Sequence, residues 1–414
     1  MGSQNTITVY EHEKLTLKSE RKFTPELYHQ LEKYYGTEGC AYFSLIRNGV
    51  KFNQYVGVIQ VGNVSIEVLP KTDRSNEKKA TWRNVLIQML RITSGIEATA
   101  TSKSKLRLKS NSIFDLYIEL FIKECEKLTH RGLVKKYRRV KENQTALKGR
   151  LHIPGQIRDN IIHKERFHVE YSKFDQNHLI NQILNKTLNV LTHIPIRFDL
   201  RSRVKRQLLY FEHIEDCSVN EAVFDKIFLN RKTERYTIAL EIARLILLNY
   251  HPDISKGNNH VLALMFDMNQ LWEKFIAKLM KRNLSETYKV KSQSSKIFWQ
   301  SNRSRKRLKP DILLSPKRGD QVDIVIDTKW KTPPKLRPSD DDLRQIFAYN
   351  QLFKAQQGVL LYPGSNLVNS GSYNVDERNL CSAMLLQLFD SNGNLQLSKS
   401  LFDPLINLIE NRVS

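Results

Sequence analysis

Two short apolar runs constrain this chain more than any other feature. Pro310-Asp-Ile-Leu-Leu314 precedes turn-forming residues at Ser315 to Asp320, and Val322-Asp-Ile-Val-Ile-Asp-Thr-Lys329 follows. This is the pattern of two strands entering a buried sheet. Side chains two apart on a strand share a face, so Asp327 and Lys329 project together. Asp311 enters from the neighbouring strand, and two acidic groups beside a lysine are what a hard divalent cation and an activated water require. A simple hairpin centred on residues 315–320 puts Asp311 opposite Ile324, roughly 10 Å along the strand from Asp327. The spacing therefore predicts a bulge or strong twist that brings the two acids together. The acid-x-Lys triplet recurs at Glu20-Arg-Lys22 and Glu77-Lys-Lys79, and Pro-Asp recurs at Pro252-Asp253. Only residues 311, 327 and 329 combine both elements with buried-strand flanks; the alternative is a hairpin carrying ordinary surface charges.

Two helices add candidates. Ser339 is placed to cap a helix over Asp340 to Phe353, in which Gln345 and Tyr349 stand four apart on one face, suited to holding DNA or orienting the lysine. Asp340, Asp341 and Asp342 in the first turn read as dipole-favourable residues rather than metal ligands. Glu273, in the amphipathic run Leu271-Trp-Glu-Lys-Phe-Ile276, is a candidate third acid or an ordinary helix-surface residue.

The net charge of +23 points to a polyanionic partner. Between Lys289 and Arg318, ten basic residues face the single acid Asp311. Of these, Arg303, Arg305, Lys306, Arg307 and Lys309, with Lys331 just past the acid-x-Lys triplet, are the candidate phosphate-backbone contacts. Further basic clusters lie at 131–141 and 197–206. Each cluster taken alone is also compatible with a solvated face. Trp299 and Trp330 read as core or strand-edge aromatics in preference to base-stacking platforms.

The four cysteines are isolated, which excludes a zinc ribbon or disulfide framework. No run is long and apolar enough to span a membrane, and Met1 to Thr8 has no secretory pattern, so a cytoplasmic location is expected. No G-x-x-x-x-G-K-[ST] occurs, so no P-loop is written in this chain.

The expected class is a multidomain α+β protein in three parts. Residues 1–145 read as a β-rich α+β module, with strands at Thr6 to Val9, Ala41 to Arg47, Tyr55 to Val61 and Val64 to Leu69, a turn at Gly62-Asn63, and helices at Pro25 to Tyr35, Lys78 to Thr93 and Phe114 to Thr129. Ser112 is the expected cap of the last. Residues 146–260 read as a basic helical connector, ending in a linker over Pro252 to Asn259. Residues 261–414 read as an α/β domain opening on a helix from Met265 to Arg282.

The acid, acid-x-Lys and Gln-x-x-x-Tyr set resembles the PD-(D/E)xK nuclease superfamily, in its RecB-like branch. The chain as a whole resembles the McrC subunits of McrBC-type modification-dependent restriction systems. That likeness rests on the β-rich start, Leu147-Lys-Gly-Arg-Leu151, Asp175-Gln-Asn-His-Leu-Ile-Asn181, Lys309-Pro-Asp-Ile312 and Ile326-Asp-Thr-Lys-Trp330. It implies a Mg²⁺-dependent endonuclease in 261–414 acting on DNA with modified cytosine. Asp311 and Asp327 would be the metal ligands, Lys329 the residue that polarises water, and Gln345, Glu273 and Tyr349 further site residues. It also implies an N-terminal module that binds and stimulates an McrB-like AAA+ GTPase ring, with GTP held by that partner, and pairing of two nuclease subunits on double-stranded DNA. A stand-alone RecB-like repair nuclease and a non-catalytic DNA-binding adaptor remain the alternatives.

Overall fold

The computed structural model describes residues 5–71, 79–93, 113–251, 260–317, 324–355, 357–364, 367–374, 376–389 and 395–410. The Ser112 cap, the linker over Pro252 to Asn259 and most of the turn after Pro316 lie outside them. The chain is a mixed α+β protein with several sheets, and it divides into two compact units. One comprises Thr6–Val58, Ile66–Leu106 and Met265–Ser414; the other comprises Met1–Asn5, Ile59–Ser65 and Arg107–Leu264. This division does not follow the segments 1–145, 146–260 and 261–414, because contacts in space join stretches that are far apart in sequence.

The first unit is built on a six-stranded sheet in the order Tyr288–Ser292, Ile312–Pro316, Ile324–Thr328, Gln357–Pro363, Asp376–Leu386 and Leu367–Tyr373. Ile324–Thr328, Gln357–Pro363 and Asp376–Leu386 run parallel, and the remaining pairings are antiparallel. Parallel neighbours need a crossover, supplied between the first two by the helix Asp340–Phe353. Ser339 caps it by accepting the Asp342 N–H at 3.3 Å, and Lys354 closes it in the left-handed conformation. Gly358 lets this helix sit directly on the sheet, since a Cβ there would overlap the Ile346 side chain. Leu313, Val325, Ile346, Tyr349, Phe353 and Leu360 form the core between helix and sheet.

This unit also carries the helix Met268–Leu284, capped by Asp267, which accepts the Gln270 N–H at 3.1 Å. Met265 to Asp267 therefore end the strand Val261–Asp267 and do not begin the helix as the sequence suggested. Their apolar residues fit a buried strand as well as a helix, and the Asp267 cap sets the boundary. Trp330, buried and next to Lys329, stacks edge-on against Trp272 at 5.3 Å and Trp82 at 6.4 Å, and its Nε1 donates to Glu11 at 2.7 Å.

Glu11 is almost fully buried. Burial pushes its pKa from 4.5 up to about 7, against the opposing hydrogen bonds from the Lys71 N–H and Trp330. A carboxyl that holds its proton more tightly when folded stabilises the fold fully below about pH 4.5, and that contribution is lost as the pH rises through about 7. Glu11→Gln keeps an acceptor for Trp330 and removes the titration. The variant is expected to be more stable than wild type at pH 8, by on the order of 3 kcal/mol, and equally stable near pH 4. Urea midpoints measured across that range check this, and parallel pH profiles for the two proteins would contradict it.

In the second unit the helix Ile113–His130 covers the expected Phe114 to Thr129, and the helices Leu179–His193, Phe198–Leu208 and Thr237–Leu248 lie in the segment expected to be helical. The reading of 146–260 as a helical connector is corrected in part: Phe167–Asp175 and Arg150–Leu151 join Lys136–Gln144 in a three-stranded sheet, with Phe167–Asp175 in the middle and the helix Ile153–Asn160 inserted. Lys136–Gln144 has only Tyr137 and Val140 among charged and amide residues, so hydrophobic periodicity gave no signal there. Its pairing with Phe167–Asp175 is supported by cross-strand partners such as Arg138 with Asp175 at 3.0 Å. The Asp175 to Asn181 motif works here as a local brace: Asn181 Nδ2 donates to the carbonyls of Gln176 at 2.8 Å and Val134 at 3.1 Å. Among the described residues, no helix is long and apolar enough to cross a membrane.

Candidate active site

The register of the two short apolar strands decides the site. Ile312 pairs with Ile326, Leu313 with Val325 and Leu314 with Ile324, so the next step outward sets Asp311 against Asp327. No bulge is needed. The connection from Pro316 to Ile324 is longer than the tight turn assumed from sequence, which moves the hairpin centre by more than a residue and brings the acids level.

Cross-strand partners point to the same face, here the one covered by the helix Asp340–Phe353. Lys329 continues the parallel ladder, its N–H bonding Leu361 O at 3.0 Å. The N–H of Thr328, one residue earlier, points to the other neighbour. There the Asp311 carboxylate stands in for a ladder carbonyl and accepts both the Thr328 N–H at 2.7 Å and its hydroxyl at 2.8 Å.

Lys329 Nζ lies 2.9 Å from Asp327 Oδ2 and donates to Gln345 Oε1 at 3.0 Å. Gln345 Nε2 in turn donates to the Tyr349 hydroxyl at 2.8 Å, and that hydroxyl donates to Lys309 O at 3.2 Å. A relay from the helix thus fixes the lysine, and it ends on the backbone just before Pro310-Asp311. Glu273 reaches the same region from the helix Met268–Leu284. It accepts a hydrogen bond from Gln293 Nε2, while Gln293 N–H bonds Asp311 O at 3.0 Å. Thr328 and Gln293 were not singled out from sequence. Thr328 was visible as the middle residue of the acid-x-Lys triplet, whereas no pattern marked Gln293.

The acids are held against their charge. Burial raises Asp327, and the neighbouring Asp311 raises it further against the pull of Lys329. Burial likewise raises Asp311, and the Thr328 hydrogen bonds only partly offset it. Glu273 is pushed up to about 7, first by burial and then by the Asp311 charge. Burial disfavours the Lys329 charge, but Asp327, Asp342 and Asp311 hold its pKa above the usual lysine value. Asp327 Oδ2 is buried and, although near Lys329, receives no well-directed hydrogen bond among the described residues. This excess of poorly solvated negative charge is what a divalent cation neutralises. Among the described residues no three His, Cys, Asp or Glu side chains form a complete metal cage. Two carboxylates that leave positions for water and phosphate oxygens suit Mg²⁺, which keeps part of its hydration shell.

The predicted basic contacts fall into two groups. Arg303, Arg305, Lys306, Arg307 and Lys309 are exposed, on or beside the hairpin formed by Lys296–Gln300 and Arg305–Leu308. Lys331 is already paired, 2.6 Å from the buried Asp342 carboxylate, which also accepts the Tyr362 hydroxyl at 3.3 Å. Asp342 is therefore a buried ion-pair partner as well as a first-turn acid, while Asp340 and Asp341 are exposed. A cavity of about 600 Å³ opens beside Glu273, lined also by Lys274, Lys278, Lys281, Gln293 and Lys309.

Fold and site together define a mixed α+β protein that presents two acids and a lysine from adjacent strands beside a basic cavity. A family model described as "McrBC 5-methylcytosine restriction system component" matches residues 50–363, well over half of the chain. The chain belongs to that family, as a component of an McrBC restriction system. Among solved structures it is similar to a chain of the refined half-complex from the tetradecameric assembly of Thermococcus gammatolerans McrB AAA+ hexamers with bound McrC. That match has a TM-score of 0.65 and 20% identity, covering 98% of this chain and 100% of the other. A chain of the cryo-EM structure of the Thermococcus gammatolerans McrBC complex matches with a TM-score of 0.45 and 22% identity, over 68% of this chain and 88% of that one. The first likeness is one of fold. No curated protein matches the chain.

Proposed function

We propose that this chain is the endonuclease subunit of its McrBC system, a Mg²⁺-dependent PD-(D/E)xK enzyme that hydrolyses phosphodiester bonds in DNA carrying modified cytosine. The observation that carries this reading is the level pairing of Asp311 and Asp327 with the Lys329 ammonium beside them. Asp311 and Asp327 would hold Mg²⁺, which when bound supplies Lewis-acid assistance to the phosphate and a lower pKa for water. Lys329, steadied by Gln345, places a positive charge where negative charge builds on the phosphoryl oxygens. Tyr349 holds Gln345 in turn, and Glu273 reaches the same region from the helix Met268–Leu284 as a further acid, its Gln293 partner bonded to the Asp311 carbonyl. The basic cavity receives the phosphate backbone.

In this reading the nuclease lies in 261–414, and the residues that engage and stimulate an McrB-like AAA+ GTPase lie in 1–145. GTP belongs to that partner, since this chain has no P-loop. Two nuclease domains acting together account for double-strand cleavage.

Gln345→Ala is expected to slow cleavage about tenfold by freeing Lys329, with Tyr349→Phe slowing it less, because Gln345 keeps its bond to the lysine. Single-turnover rates check the order, and a larger loss from Tyr349→Phe would break it. The reading itself is tested with cytosine-methylated and unmethylated plasmids in Mg²⁺ and GTP, with and without the partner GTPase. Cleavage of methylated plasmid only with the partner is expected. Cleavage without the partner would replace this reading with a stand-alone nuclease.

A further inference from the structure

We propose that the hairpin of Lys296–Gln300 and Arg305–Leu308 is a DNA-gripping arm, whose basic residues follow the phosphate backbone while Trp299 and Phe298 stack against bases beside the bond to be cut. The inference rests on the nuclease reading above and adds a base-contacting element to it.

Ile297, Phe298 and Trp299 are consecutive and are 38%, 57% and 51% exposed. The other three tryptophans, Trp82, Trp272 and Trp330, are 2%, 0% and 9% exposed. The register slips between Ile297 and Trp299, leaving Phe298 as the extra residue of a bulge that twists the strand and turns side chains outward. The two strands form a sheet of their own, and an isolated hairpin is marginal in water. It is tied down at its base. Lys296 Nζ donates to Leu352 O at 3.3 Å and lies 4.7 Å from the Phe353 ring centre, and Arg307 Nε donates to Ser295 Oγ at 2.7 Å. An anchored arm that presents three apolar residues to solvent is built for a partner.

Charge identifies that partner. No acid occurs from residue 287 to residue 310, and Arg303, Arg305 and Lys306 are exposed around the aromatic residues. A second copy of the chain would bring like charges together, whereas a nucleic acid offers phosphates to the bases of the arm and flat faces to its rings. Alternation of cationic and aromatic side chains is how proteins hold exposed bases. Position agrees: Leu308 is three residues from Asp311, a span of about 10 Å, so whatever the arm holds lies beside the paired acids.

The test uses the full chain and a short fluorescein-labelled DNA duplex with a single-stranded end, with Ca²⁺ replacing Mg²⁺ and salt varied. Phe298→Ala/Trp299→Ala is expected to weaken binding at least about fivefold at every salt concentration without changing the slope of log K against log salt. Arg305→Ala/Lys306→Ala is expected to flatten that slope by about two units. DNA is expected to quench wild-type tryptophan fluorescence, and Trp299→Phe to lose most of that quenching. Wild-type affinity in the aromatic variant, or unchanged fluorescence at saturating DNA, overturns the arm and leaves the nuclease reading intact. Binding that depends on Trp299 in a wild-type protein that never cleaves supports the arm and removes the nuclease reading.

Discussion

Asp327→Ala is expected to lower DNA cleavage by at least about a thousandfold, the consequence of withdrawing several kcal/mol of transition-state stabilisation. The substitution removes one of the two carboxylates proposed to hold Mg²⁺ and the near neighbour of Lys329. Folding is expected to survive, because ionised Asp327 is disfavoured where it lies, by burial first and by Asp311 second. Asp327→Asn separates charge from volume: it leaves no cavity and is expected to lose activity as fully as the alanine variant. A residual rate above a few per cent in either variant would show that Asp327 is not a required ligand.

Trp330→Ala is expected to produce the largest loss of stability, about 3–5 kcal/mol, or on the order of 10 °C in the unfolding midpoint. The indole fills the space between Trp272 and Trp82. Its Nε1 also donates to Glu11 Oε1, as does the Lys71 N–H. Alanine leaves a cavity and a carboxylate short of a donor. Trp330→Phe keeps most of the packing and loses only the N–H, so its cost is expected to be smaller and to grow as the pH rises through about 7, where Glu11 ionises. A phenylalanine variant as unstable as alanine at pH 5 would contradict this division of roles. Because Trp330 follows Lys329 directly, the alanine variant is also expected to cleave more slowly.

Elements with local stop signals were legible residue by residue. The helix Pro25–Tyr35 lies between the Thr24 cap and Gly36, the helix Asp340–Phe353 follows the Ser339 cap, and Gly62-Asn63 joins Tyr55–Val61 to Val64–Leu69. Strands stabilised by partners were not legible, because a run such as Lys136–Gln144 has no apolar face to show its period. The site was partly legible for the same reason. Alternation places Asp327 with Lys329, and helical spacing places Gln345 with Tyr349, since both are local geometry. The level pairing of Asp311 with Asp327 depends on the number of residues between the two strands. The Thr328 bonds to Asp311 depend on which way a backbone N–H faces, and Lys331 proved to have Asp342 as a neighbour from a helix eleven residues on. None of these three is written in composition or period.

The most direct test is cleavage of a cytosine-methylated plasmid by wild type and by the double variant Asp311→Asn/Asp327→Asn, each with the partner GTPase, GTP and Mg²⁺, while GTP hydrolysis is followed in the same tubes. The account predicts nicked and linear DNA from wild type, intact plasmid from the double variant, and equal stimulation of GTP hydrolysis by both. DNA cut by the double variant, or GTP hydrolysis stimulated by a wild-type protein that leaves the plasmid intact, would contradict it.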